Sequence, residues 1–417
     1  MKNNRSILPV ILFCFFSGTV SAQTGVFWFG DSTSSYVNNR IISMKEKPGG
    51  GLYFLGKASD RQYANVHPYW GSCDKSGKLI QQKTVETTND IFELNNFVVC
   101  GENKFRIWGT ETADNRQTLL LSTIDAKGNL PGSDAILTNT NTLCGDVCQV
   151  DAQTAVCAKT VQSSSTGFFH ISIYKYNLQN DQQIWYKKLD AEGNEEASKL
   201  FLMKDGSFIL LAKEYDERLT TYSSLIYKLS SAGELIWRKS IAAYPVFFAH
   251  GIAEGKNKSL VYVCSIGSER DTVCSTKICS LDSSGNLLSA NEIPGIRANG
   301  ILGLKNGNFF VYGSHFQKAS VYIITKACFK IYDPAMKLLK EDELGMLDGP
   351  DAQLPWLAMS AWPTSSDFLT AIQLSDGRIA CGGRVYMPTE KDPEKIIFSD
   401  RVNKALLVLM SSDGKFR

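Results

Sequence analysis

The stretch YKLSSAGELIWRKSI, Tyr227 to Ile241, decides the fold. Its first residues, with Leu225 and Ile226 before them, carry the β-branched and aromatic side chains of a strand. Ser230 to Glu234 is a tight turn whose glycine reverses the chain, and Leu235 to Ile241 alternates as a second strand. The same turn, Asp or Ser, two residues, Gly, a polar and an apolar residue, recurs about every 52 residues. It reads DKSGKL from Asp74, DAKGNL from Asp125, DSSGNL from Asp282 and SSDGKF from Ser411. Degenerate copies, NLQNDQQI from Asn177 and DPAMKL from Asp333, fill the gaps, making seven. A fixed period of this size marks a repeat architecture.

A second motif runs out of phase with the first: a turn, an apolar run and often a glycine. Examples are GGGLYFLG ending at Gly56, ENKFRIWG ending at Gly109, KNGNFFVYG ending at Gly313 and SDGRIACG ending at Gly382. Each unit therefore reads as four strands in a meander, with short first strands such as Ile41 to Met44 and Leu369 to Leu374. Seven such units with no helical period between them predict an all-β fold, a seven-bladed β-propeller of four-stranded antiparallel blades. The seventh unit stops after its third strand, while Val26-Phe27-Trp28-Phe29 is an orphan strand ahead of the first unit. Pairing that segment with Ala405 to Met410 would complete the last blade and close the ring without an exposed edge.

Residues 1–22 differ in kind. Lys2 and Arg5 precede the apolar run Ile7 to Phe16, and Val20-Ser21-Ala22 supplies small residues at a cleavage site. The reading is a signal peptide cut before Gln23, too short an apolar run to span a bilayer. Residues 23–417 then form one propeller domain in the periplasm or outside the cell, with 341–367 as an inserted loop between blades six and seven.

Forty-four basic and 42 acidic residues leave a net charge of +2, so nothing in the balance favours nucleic acid or an anionic membrane. Ten cysteines remain once Cys14 is removed with the leader, an even number that permits disulfides. Cys144/Cys148 and Cys274/Cys279 are the closest local pairs, with buried thiols as the alternative state. Paired short-spaced knuckles of a structural zinc site are missing from the sequence, so neither metal nor cofactor is expected.

Strand endings such as Tyr227 to Ile241 resemble the repeat of bacterial exported propellers of the pyrroloquinoline-quinone-like group. That resemblance implies the fold. Within the group some members are redox enzymes and others non-catalytic scaffolds. Quinoprotein dehydrogenases have eight blades, a Trp in nearly every repeat, a vicinal disulfide and a calcium site. Here there are seven units, the repeat Trp stands only at Trp185 and Trp237, and no cysteines adjoin, which argues against quinone chemistry.

Topology then locates a site. With strand one nearest the axis, the short one-to-two and three-to-four turns share one face. The variable two-to-three loops and inter-blade connections share the other, where binding residues concentrate. Candidate binding residues there are His67, Tyr215, Arg218, His250, Arg270, His315, Arg384 and Tyr386, joined by Trp356 and Trp362 from the inserted loop. The four histidines, His170 included, come from different blades without ligand spacing. No nucleophile elbow, phosphate loop or zinc-protease motif occurs. The leading expectation is a monomeric, non-catalytic scaffold binding a protein or carbohydrate partner. The alternative is an enzyme acting on a polysaccharide or other extracellular substrate in the axial funnel, with His or Tyr as acid/base and Arg as carboxylate partner.

Overall fold

The computed structural model describes residues 25–30, 38–60, 66–85, 90–101, 104–113, 116–129, 142–163, 167–180, 182–189, 194–216, 221–241, 248–255, 258–266, 275–319, 322–344, 366–388 and 401–415. Among these residues there are seven antiparallel sheets. Blade one is β2 (Asn38–Glu46), β3 (Leu52–Ser59), β4 (His67–Cys73) and β5 (Leu79–Thr84). Blade two has three described strands, β6 (Asp90–Val99), β7 (Lys104–Ala113) and β8 (Arg116–Asp125).

Blades three to six are four-stranded meanders: β9–β12 (Thr142–Gln149 to Gln183–Leu189), β13–β16 (Asn194–Leu202 to Leu235–Ile241), β17–β20 (Phe248–Glu254 to Leu287–Pro294) and β21–β24 (Ile296–Gly303 to Leu338–Glu343). Blade seven orders β25 (Ser366–Gln373), β26 (Ile379–Pro388), β27 (Arg401–Met410) and, outermost, β1 (Gly25–Phe29). The expected seven-bladed propeller is present, and so is its closure: Gly25 pairs with Leu409 and Phe29 with Ala405. Among the described residues no helix is long and apolar enough to cross a membrane.

The core is divided rather than central. Each sheet buries both faces against its neighbours, and each of seven apolar clusters fills one interface between consecutive blades. Between blades three and four, for example, Val156, Ile171 and Ile173 meet Leu200, Leu210 and Tyr227. Two-sided burial explains the continuous apolar runs of the middle strands.

The recurrent turn has two physical causes. Its first residue caps the turn: Asp282 Oδ1 accepts the Ser284 N–H at 2.9 Å and the Asn286 N–H at 2.8 Å, and Asp74 and Asp125 do likewise. Its glycine is left-handed and lies beneath an aromatic ring of the preceding blade. A Cβ on Gly233 would fall 2.7 Å from Trp185, and one on Gly285 3.1 Å from Trp237. Trp237 Nε1 donates to the Ser283 carbonyl of that turn at 3.1 Å.

The glycine of the second motif faces inward instead. On Gly56, Gly313 and Gly383 a Cβ would come within 2.0 Å of the strand-one carbonyls of Arg40, Arg297 and Asp367. In blade seven this close approach falls on Gly383, one residue past the Gly382 that ends the sequence motif, because Phe368 pairs with Gly383.

Of the expected cysteine pairs, Cys148 and Cys279 are free thiols, and Cys73, Cys100, Cys157, Cys264, Cys328 and Cys381 are free as well. The buried-thiol alternative describes seven of these eight, Cys100 being half-buried. The Cys264 and Cys279 thiols are hydrogen-bonded to each other across blade five. Cys274, the Cys144 side chain, residues 1–24 and the segment 345–365 lie outside the described residues.

Candidate functional site

The first strand of every blade lines an axial channel of about 1050 Å³. Each of these strands carries a β-bulge at the same point of its repeat. The bulged residues are Ile42, Asn95, Gly145, Ser198, His250, Asn299 and Leu369, and they form a ring about the axis. A bulge re-aims side chains and breaks the ladder locally, which leaves polar groups to find partners elsewhere. Asn95 donates to the Gly145 carbonyl at 2.7 Å and Asn299 to the Phe368 carbonyl at 2.8 Å, each reaching into the next blade.

The residue after each bulge continues the belt through blades one to four. Ser43 Oγ donates to Asn96 Oδ1 at 2.5 Å, and Asn96 Nδ2 reaches Asp146 Oδ1 at 3.3 Å and the Val147 carbonyl at 3.0 Å. Asp146 also accepts the N–H groups of Val147 at 2.8 Å and Leu200 at 3.0 Å. Burial pushes the Asp146 carboxyl above its ordinary value, opposed by Lys199 and these hydrogen bonds. Opposite, glycines 251 and 300 take the equivalent places, and a Cβ on Gly300 would meet the Tyr312 hydroxyl at 2.2 Å.

Lys45 and Lys199 flank Asp146 on the channel wall. Burial lowers the Lys45 ammonium, opposed by Asp146 and Cys148. His250 is lowered to about 3, first by burial and then by Arg297, Lys213 and Lys199 around it. It is therefore a neutral imidazole at physiological pH, and its Nε2 is buried with no hydrogen-bond partner.

The other sequence-selected residues stand apart from the axis. His67 opens β4 and is buried. Tyr215 lies at the loop end of β14 (Phe208–Asp216), half-buried, and pairs in register with Asn194 and Tyr222. His170 belongs to β11 (Phe169–Asn177).

His315 in β22 (Phe309–Ala319) binds Glu343 Oε2 through Nδ1 at 3.0 Å, while Lys326 binds Oε1 at 2.6 Å. Although partial burial opposes it, those two partners hold Glu343 below the ordinary carboxylate value. Arg384 grips Asp367 Oδ2 through Nε at 3.0 Å and Nη2 at 2.8 Å, with its guanidinium 5.3 Å from the centre of the Tyr386 ring. Arg218, Arg270, Trp356 and Trp362 lie outside the described residues.

The structure thus joins Arg384 to Tyr386 and leaves the histidines in separate blades. Among the described residues no cluster of three His, Cys, Asp or Glu side chains is disposed to hold a metal. Lys45, Asn96, Asp146 and Lys199 escape sequence reasoning, because the rule that places binding residues on variable loops passes over the innermost strand. The available signal was a polar residue at the same repeat position, Ser43, Asn96, Asp146 and Lys199, inside otherwise apolar strands.

No protein-family description matches the chain, and no curated protein matches it. Solved structures do. A puromycin hydrolase superposes with a TM-score of 0.51 at 11% identity, over 88% of this chain and 54% of that one, so this chain spans about half its length. The WD40 domain of Neurospora crassa Pan2 gives 0.49 at 8% identity, covering 93% of this chain and 94% of that one. A protein of unknown function from Dyadobacter fermentans gives 0.46 at 11% identity, covering 93% and 99%. At such identities the likeness concerns the propeller fold alone.

Proposed function

We propose that this propeller is an exported, monomeric, non-catalytic scaffold that binds a protein or carbohydrate partner through the face bearing its two-to-three loops and inter-blade connections. One observation carries the reading. The charged groups near that face are committed to fixed local pairs, His315 and Lys326 with Glu343, and Arg384 with Asp367 beneath Tyr386. Groups held in this way make a rigid polar rim, which suits recognition by a partner without prior ordering. An acid/base catalyst would need a proton-transferring side chain within reach of its substrate. The aromatic seats of Gly233 and Gly285 support membership of the pyrroloquinoline-quinone-like repeat group at the level of the repeat.

The test is site-specific photocrosslinking in intact cells. Crosslinkers at Tyr215 and Tyr386 are expected to capture one common macromolecule, and a crosslinker at Lys127 on the opposite turn face to capture none. Equal capture from both faces, or polysaccharide turnover that disappears in His250→Ala, would replace this reading. N-terminal sequencing of the exported protein should begin at Gln23; retention of residues 1–22 in a cytosolic product would remove the exported assignment.

A further inference from the structure

We propose that the axial channel is a binding site for a small organic anion, a molecule bearing carboxylate or phosphate groups, held against the ammonium groups of Lys45 and Lys199. Lys45, Lys199, Lys204, Lys258 and Lys305 line the channel against only Asp146 and Glu254, a lining of +3 in a chain whose whole net charge is +2. At the turn-side mouth this charge is partly satisfied. Lys258 lies 3.8 Å from Asp205, and Lys305 Nζ donates to the carbonyls of Leu374 and Ser375 at 2.9 and 3.0 Å.

Deeper in, it is not. Neither the Lys45 nor the Lys199 ammonium makes a hydrogen bond or a close ion pair with a described residue. The single carboxylate between them, Asp146, already accepts the N–H groups of Val147 and Leu200 and the amide of Asn96. One carboxylate cannot offset two ammonium groups. Arg297 and Lys213 add to the positive field, since both act on His250 together with Lys199.

A half-buried cation such as the Lys45 ammonium costs free energy unless something compensates it, while Lys199 stands exposed beside it to meet a ligand. The protein walls of a channel focus such a field on whatever enters. The volume of about 1050 Å³ accepts a ligand of metabolite size, and Asn95 and Asn299 on the bulge ring, with Ser43 next to it, put neutral polar residues on the channel wall. An oxyanion with two or more acceptor oxygens would give both lysines the charge-assisted hydrogen bonds they lack. This site lies on the axis, apart from the rim that carries the proposed partner surface, and the two readings can fail independently.

The experiment follows the thermal unfolding midpoint of the full mature chain at constant ionic strength. Citrate is titrated in one arm, inorganic phosphate in a second and neutral D-glucose in a third. A saturable rise is expected with citrate or phosphate and none with D-glucose, because a ligand that binds only the folded chain stabilises it. The arm that saturates at lower concentration distinguishes carboxylate from phosphate.

Lys45→Met and Lys199→Met are expected to weaken the response at least tenfold, and Lys127→Met, an exposed turn residue outside the channel lining, to leave it unchanged. Lys45→Met removes a half-buried ammonium and Lys199→Met an exposed one, so neither variant should be less stable than the parent when no anion is present. No saturable response to either anion in the parent chain, or the same response in parent and both channel variants, would overturn the proposal.

Discussion

At the scale of single residues, Gly233 shows why the repeat turn keeps its glycine. Its φ of +80° is left-handed, and a Cβ would enter the Trp185 ring at 2.7 Å. Gly206 has the same backbone conformation, φ +81°, but its nearest neighbour would stand 4.0 Å away. Gly206→Ala should therefore cost only the conformational penalty of about 1 kcal/mol. Gly233→Ala should cost at least about 2 kcal/mol, strain and overpacking together. Urea unfolding of the two variants checks the difference, and equal losses would mean that the Trp185 seat contributes nothing. His250 gives a second residue-scale prediction. Its folded pKa, about 3, lies below the ordinary value of about 6.5. The unfolded chain thus takes up a proton that the folded chain refuses. The stability this residue contributes is complete above about pH 6.5 and declines as pH falls toward 3. His250→Gln should flatten the midpoint-versus-pH curve between about pH 6.5 and 5, whereas an unchanged curve would mean that the imidazole is solvated.

At the scale of elements, the innermost strands do more than line the axis. Their last residues clamp the turn of the preceding blade. Glu46 accepts the Ser375 N–H at 2.8 Å, Glu254 the Lys204 N–H at 2.9 Å and Gln373 the Lys305 N–H at 2.7 Å. Gln149 exchanges hydrogen bonds with the Val99 backbone in the same manner. Together with the Ser43, Asn96 and Asp146 belt, these contacts fix the angle between blades where apolar packing alone tolerates sliding. Asn96→Ala would remove the tie to Val147 and strand the groups of Ser43 and Asp146, a loss of about 2–4 kcal/mol in denaturant unfolding. A loss below about 0.5 kcal/mol would show the belt to be incidental. The sequence displayed the blades because Asp-x-x-Gly turns and alternating strands obey local rules that need no knowledge of neighbours. It concealed the belt and the channel charge for the opposite reason. Lys45 and Asp146 stand about one hundred residues apart and meet only after the ring has closed. A polar residue in strand one reads locally as an imperfect strand. His315 and Arg384 looked like free loop-face groups for the same cause, since their partners Glu343 and Asp367 belong to other strands.

At the scale of the whole molecule, stability turns on one short strand. β1 is joined to blade seven through Gly25–Phe29 against Ala405–Leu409, and its side chains serve both flanking interfaces. Val26 packs with Phe329 and Leu406 between blades six and seven. Phe29 stacks on Phe54 of blade one at 5.7 Å, and the Phe27 ring covers Gly77. A propeller has no central core to hold it once a seam opens, so the seam should control the whole ring. Deleting residues 1–30 would expose three large apolar side-chain seats, each worth about 1.5–3 kcal/mol, and an unpaired β27 edge. The expected result is a loss of at least about 5 kcal/mol with concentration-dependent association of the truncated chain. A synthetic peptide of residues 23–31 added in trans should restore the unfolding midpoint, and the same peptide with Phe29→Ala should restore much less. A truncated chain that unfolds at the midpoint of the full chain would show that the ring is held by its interfaces alone and that the β1 seam is dispensable.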